Sequence, residues 1–189
     1  MRKITTIFCI LSVFVCLFVS QPTYAEYVLP YPSYMPGNTL YRVSRIIDKA
    51  KNYWYWGTIA QIKYHSGLSD KYLVEAKTLF EYKQYLLATD ALQRSDKELS
   101  QLSSLLDIGS REGKDMDEQE KIIVEAMQVH MVTLGSMKDI LPNEFQWTPE
   151  KSTGINLSIG SMLDLSIQLR ETMLNKLQNS VQQYSYKGF

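Results

Sequence analysis

From Tyr85 to Leu106 the chain sets apolar or small residues at alternating steps of three and four: Tyr85, Ala88, Leu92, Ser95, Leu99, Leu102 and Leu106. A helix gathers such positions into one narrow seam, and a seam of that length is buried only by lying lengthwise against other helices. This stretch therefore commits the chain to helix-on-helix packing.

Similar phases flank it. Asn38 is placed to accept from the free amides of a following turn, and Leu40, Val43, Ile47, Ala50 and Trp54 predict a first amphipathic helix over about 39–55. Ile59, Ile62, Ser66, Ser69, Tyr72 or Leu73, Ala76 and Phe80 predict a second, weakened at Gly67 and open to a break there. Glycines and polar residues between Leu106 and Met116 predict a loop, after which Asp117 and Glu120 suit a capping box. The next stripe is Ile123, Met127, His130, Leu134, Met137 and Leu141, and Pro142 ends it. Thr148 and Pro149 are the last start signal, with Ile155, Ile159, Met162, Leu169, Met173, Leu177 and Val181 carrying a helix towards Tyr184. Gly154 and Gly160 inside it call for the close approach of another helix. Runs alternating at period two are absent, so no strand of convincing length is predicted.

Ahead of the helices, residues 26–38 carry Pro30, Pro32 and Pro36, which forbid helix and predict an extended arm rich in proline and tyrosine. The predicted fold is all-α: a bundle of four or five long antiparallel helices in a single domain over 39–189, preceded by that arm.

Residues 1–25 have a basic start at Arg2 and Lys3, an apolar run from Ile7 to Val19 and a polar end with small residues at Thr23 and Ala25. That order predicts a signal peptide cleaved between Ala25 and Glu26; the alternative is a leader kept as an anchor. Cys16 follows Phe14-Val15, a poor context for lipidation. The only cysteines, Cys9 and Cys16, lie inside the leader, so the processed chain has no disulfide or thiol chemistry and relies on its core. Processing also leaves a small net negative charge, so nucleic acid and anionic lipid both lose their electrostatic attraction as partners, since each is normally met with a basic excess or patch. The expected location is exported: periplasm, cell surface or secreted, with no transmembrane helix once the leader is gone.

The arm and first helix read Leu29-Pro30-Tyr31-Pro32-Ser33, then Met35-Pro36, Leu40-Tyr41 and Asp48. In order and spacing this resembles an uncharacterised family of exported bacterial proteins with a conserved domain of unknown function, whose Leu-Pro-Tyr-Pro-Gly and Pro-Leu-Tyr pattern would have glycine, proline and lysine at Ser33, Thr39 and Ser44. The passage Ala76-Lys77-Thr78-Leu79-Phe80, then Tyr82-Lys83-Gln84-Tyr85 and Ala88, is similar to that family's helix, tight connection, helix segment. It also looks like a single tetratricopeptide-type hairpin, without a second copy. His130 with Leu134 resembles a histidine-containing stretch of the family's later helix. The resemblance implies an exported helical protein and supplies no catalytic residues.

No catalytic, cofactor or metal site is predicted. His65 and His130 are the only imidazoles, and neither has a carboxylate or second histidine at ligand spacing on one face; His130, on an apolar stripe, reads as a hydrogen-bonded histidine at the edge of the core. The acidic run Asp115, Asp117, Glu118, Glu120 lacks a calcium loop's central glycine and terminal glutamate and reads as charge at a helix N-terminus. No serine sits in a nucleophile-elbow or Ser-x-x-Lys arrangement, and glycine-rich phosphate loops are absent. Tyr31, Tyr34, Tyr41, Tyr53, Trp54, Tyr55, Trp56 and Tyr64 form an aromatic excess, expected mainly to pack, with a candidate contact surface at Tyr31, Tyr34, Trp54 and Trp56. The expected function is non-catalytic binding of another envelope macromolecule, protein or polymer. The alternative is a small-ligand or metal-binding extracytoplasmic module. An exposed apolar stripe would favour the first, an enclosed apolar pocket the second.

Overall fold

A computed structural model describes residues 27–149 and 154–186, with side chains to residue 179 in the last helix. The leader and the Ala25/Glu26 cleavage position lie outside the described residues. The described residues form five helices: α1 Thr39–Trp54, α2 Thr58–Glu81, α3 Tyr85–Arg111, α4 Asp117–Ile140 and α5 Ile159–Tyr186. A two-stranded antiparallel ribbon, β1 Phe145–Trp147 and β2 Ile155–Leu157, joins α4 to α5.

Cross-helix contacts fix the topology of α2 to α5. His65 meets Glu98 while Thr58 meets Glu112 beyond the end of α3, so α2 and α3 run antiparallel. Lys138 meets Asp164 and His130 meets Arg170, so α4 and α5 also run antiparallel. Asp96 bonds Ser166 while Lys176 reaches Asp107, which sets α3 and α5 parallel. The result is an up-down-up-down four-helix bundle made of two hairpins laid side by side.

The first hairpin turns through Tyr82, Lys83 and Gln84. Lys83 takes φ 58° and donates to Phe80 O at 2.9 Å, while Gln84 N donates to Leu79 O at 2.9 Å. These two bonds satisfy the end carbonyls of α2 in a Schellman arrangement, with lysine where glycine is usual.

The core has two apolar layers. One gathers Leu73, Ala76, Leu79 and Phe80 of α2, Ala88, Ala91 and Leu92 of α3, Leu134 and Met137 of α4, and Ile159 and Leu163 of α5. The other gathers Ile62, then Leu99, Leu102 and Leu106, then Ile123, Ala126 and Met127, then Met173 and Leu177. The α3 and α4 stripes predicted from spacing supply both layers.

Four expectations change. Gly67 does not break α2, because Ile62, Ser66, Leu68 and Ser69 around it are all buried and packing outweighs its propensity cost. The loop predicted between Leu106 and Met116 is shorter: α3 continues to Arg111, since Gly109 lets Met116 cross it so closely that an added Cβ would lie 2.7 Å from Met116 Sδ. Asp117 is the first residue of α4 and not its cap; Asp115 Oδ1 accepts its amide at 3.1 Å in place of a capping box. The last helix starts at Ile159, ten residues after Pro149, because Ile155 to Leu157 pair with β1. Gly160 N then donates to Asn143 O at 3.0 Å, and a Cβ there would meet Asn143 Oδ1 at 2.7 Å. The close approach expected at Gly160 is therefore to a loop.

Candidate functional site

Two places gather chemistry. The first is a polar layer between the two apolar layers. Arg170 is fully buried: its Nη1 donates to Asp96 Oδ1 at 2.6 Å and to Ser166 Oγ at 2.6 Å, and its Nη2 donates to Ser95 Oγ at 3.0 Å. Its Nε donates to His130 Nδ1 at 3.2 Å, so Nδ1 accepts and the ring proton sits on Nε2, which faces Asp70 Oδ1 at 2.8 Å. Tyr27 of the arm donates to the other oxygen, Asp70 Oδ2, at 2.5 Å. Ser69 and Ser95 close the layer, Ser95 Oγ donating to Ser69 O at 2.8 Å.

Burial lowers the His130 pKa from its ordinary 6.5, the Arg170 charge lowers it further, and the bond to Asp70 opposes both. With each ring nitrogen committed and the ring enclosed, the His130 imidazole has no free lone pair for a substrate proton. It is a packing device, more deeply buried than the core-edge position expected from sequence. A pH dependence follows. The unfolded chain takes up a proton near pH 6.5 while folded His130 does not, so stability holds above that pH and falls below it. The loss approaches about 1.4 kcal/mol per pH unit until the folded pKa is reached. Urea unfolding from neutral to acid pH should show this slope, and His130→Gln, though less stable throughout, should lack it.

His65 stands apart, its Nδ1 2.7 Å from Glu98 Oε2. Among the described residues no group of three or more His, Cys, Asp or Glu side chains could hold a metal ion.

The second place is α1. Rotation of about 100° per residue puts Tyr41, Ser44, Arg45 and Asp48 on one side of this helix and Leu40, Val43, Ile46, Ile47, Ala50 and Trp54 on the other. The polar side is the inner one. Tyr41 Oη donates to Glu75 Oε1 at 2.7 Å and accepts from Arg94 Nη1 at 2.7 Å. Lys71 pairs with Asp48 and donates to Ser44 Oγ at 3.1 Å, and Tyr64 Oη donates to Asp48 O at 2.7 Å. The Arg45 guanidinium lies 5.3 Å from the Tyr72 ring centroid. As predicted, Asn38 Oδ1 caps the helix, accepting from Leu40 N at 2.9 Å.

The apolar side faces water, with Ile46 67 % exposed. The Tyr53–Trp56 turn continues it: Trp54 is 87 % and Trp56 85 % exposed, and these rings with Tyr53 and Tyr55 border a shallow depression of about 540 Å³. The expectation that the aromatic excess mainly packs is overturned. Only Tyr41 and Tyr64 of that set are half-buried; Tyr31, at 94 %, and Tyr34 are exposed as well. The reason is the inverted seating of α1, whose polar bonds to Glu75, Arg94 and Lys71 hold its rings outward.

The four candidate contact residues thus divide. Trp54 and Trp56 join the α1 surface, while Tyr31 and Tyr34 lie on the arm. Sequence reading missed Val43, Ile46 and Ile47 as surface residues, and it missed the inner polar layer entirely. No local signal marked the inward side of α1, because Glu75, Lys71 and Arg94, which hold it, belong to other helices. None marked Arg170, since arginine ordinarily reads as surface.

Among the described residues no helix is long and apolar enough to cross a membrane. A family model described as Domain of unknown function (DUF5667) matches residues 33–144, which span most of the arm's end, α1 to α4 and the α4 exit. No curated protein and no solved structure matches the chain.

Proposed function

The chain belongs to the DUF5667 family, and from that premise we propose that it is an exported, non-catalytic protein of the bacterial cell envelope that works by binding an envelope component. The observation that carries this reading is the outward apolar face of α1, held in place by polar bonds on its inner side. A helix that simply failed to bury its stripe would not have its opposite side so fully engaged. The small-ligand alternative draws less support, because the depressions at Tyr27, α1 and α5 open to solvent and none is an enclosed pocket.

A photo-crosslinking residue placed at Val43 or Ile47 tests the proposal in the cell of origin. The protein should be recovered from the envelope with Glu26 as its first residue, and it should crosslink from α1 but not from a control position at Glu171 on α5. Cytoplasmic recovery with residues 1–25 attached, or equal crosslinking from both helices, would refute it.

A further inference from the structure

We infer that the outward face of α1, together with the Tyr53–Trp56 turn, docks on the anionic surface of a lipid bilayer. This rests on the envelope-binding reading and names the partner of the same face. Every exposed charge on α1 is positive. Arg42, Lys49 and Lys51 are exposed, whereas its one carboxylate, Asp48, is buried against Lys71. Helical rotation puts Arg42 and Lys49 on one flank of the apolar arc and Lys51 on the other. An apolar stripe between two basic flanks is the pattern of a helix lying in the plane of a bilayer surface, its aliphatic side sunk among acyl chains and its cations level with anionic headgroups. Trp54 and Trp56 suit the same depth, where an amphipathic ring meets both apolar and polar surroundings.

The chain's nearly balanced total charge hides this local arrangement. It also disfavours a second copy as the occupant: a two-fold pairing of α1 with α1 would set Arg42, Lys49 and Lys51 against the same cations with no exposed carboxylate on either helix to answer them. The leader is no better, since its only charges, Arg2 and Lys3, are also basic.

The test uses the chain from Glu26 onward and vesicles of phosphatidylglycerol and phosphatidylcholine in equal amounts, against vesicles of phosphatidylcholine alone. The protein should sediment with the first and not the second, with a blue shift of tryptophan emission as Trp54 and Trp56 leave water. Ile46→Ser with Ile47→Ser should weaken binding roughly a hundredfold, and each of Arg42→Gln, Lys49→Gln and Lys51→Gln about fivefold. Both sets of positions are exposed, so melting should stay unchanged. Failure to bind anionic vesicles, or binding indifferent to the isoleucine pair, overturns lipid docking. A concentration-dependent dimer abolished by the isoleucine pair would assign the face to a second copy instead. Crosslinks from Val43 and Ile47 to one envelope protein, without vesicle binding, would overturn lipid docking and leave the envelope-binding reading intact; loss of both signals removes both.

Discussion

Arg170→Met should cost roughly 3 to 5 kcal/mol of folding stability, the largest effect of any single substitution considered for this chain. Methionine fills similar volume, so the loss does not come from a cavity. It comes from Asp96, which keeps its charge without the guanidinium that donates to it, and from Ser95, Ser166 and His130, which each lose a bond in a region closed to water. Burial itself lowers the Arg170 pKa, and the charge of Asp96 opposes the shift. For a domain of this size the melting temperature should drop by on the order of 10 °C. Arg170→Lys should fall between the two, since an ammonium preserves the charge but not the planar fork. A melt unchanged in Arg170→Met would show that the polar layer contributes nothing to stability.

Deleting residues 27–36 should lower the melting temperature by several degrees. The arm is docked at both ends: Leu29 and Met35 pack on the first apolar layer, Tyr27 on the second, and the Tyr27 hydroxyl reaches Asp70. Burial together with the bond to Asp70 pushes the Tyr27 pKa well above its ordinary value, so this group stays a donor through the physiological range. Partial burial of three large side chains contributes about 3 kcal/mol after the ordering of a segment already stiffened by prolines. Tyr27→Phe isolates the hydroxyl and should account for about 1.5 kcal/mol or more of the total. An unchanged melt on deletion, with fast backbone motion of the arm in relaxation measurements, would make it a tether.

Where spacing alone sets structure, the sequence was a good guide. Leu92, Leu99, Leu102 and Leu106 lie where their steps of three and four put them, and Met127, Leu134 and Met137 do the same on α4, because a long helix has no other way to bury such a stripe. Hydrophobic spacing misleads at α1 for a physical reason: it reports that a helix has two faces, not which one meets the protein. That choice depends on Glu75, Lys71 and Arg94, side chains of two other helices. The polar layer was illegible for a related reason. Asp70, His130 and Arg170 are far apart in the chain, and only the mating of four helices shows that they share one plane. The start of α5 failed locally, because Thr148-Pro149 is a sound helix signal that pairing between Gln146 and Asn156 overrides.

Oily helices alone can slide past one another. A shift of the α4–α5 hairpin by one turn, about 5.4 Å, would still set apolar residues against apolar residues along much of the α2–α3 hairpin, yet it would pull Arg170 away from Asp96 and His130 out of reach of Asp70. The charged stratum thus acts as a tooth in an otherwise smooth ratchet. A neighbouring alignment would leave Arg170 and Asp70 buried without their partners, and that cost singles out the position in which the two hairpins mesh.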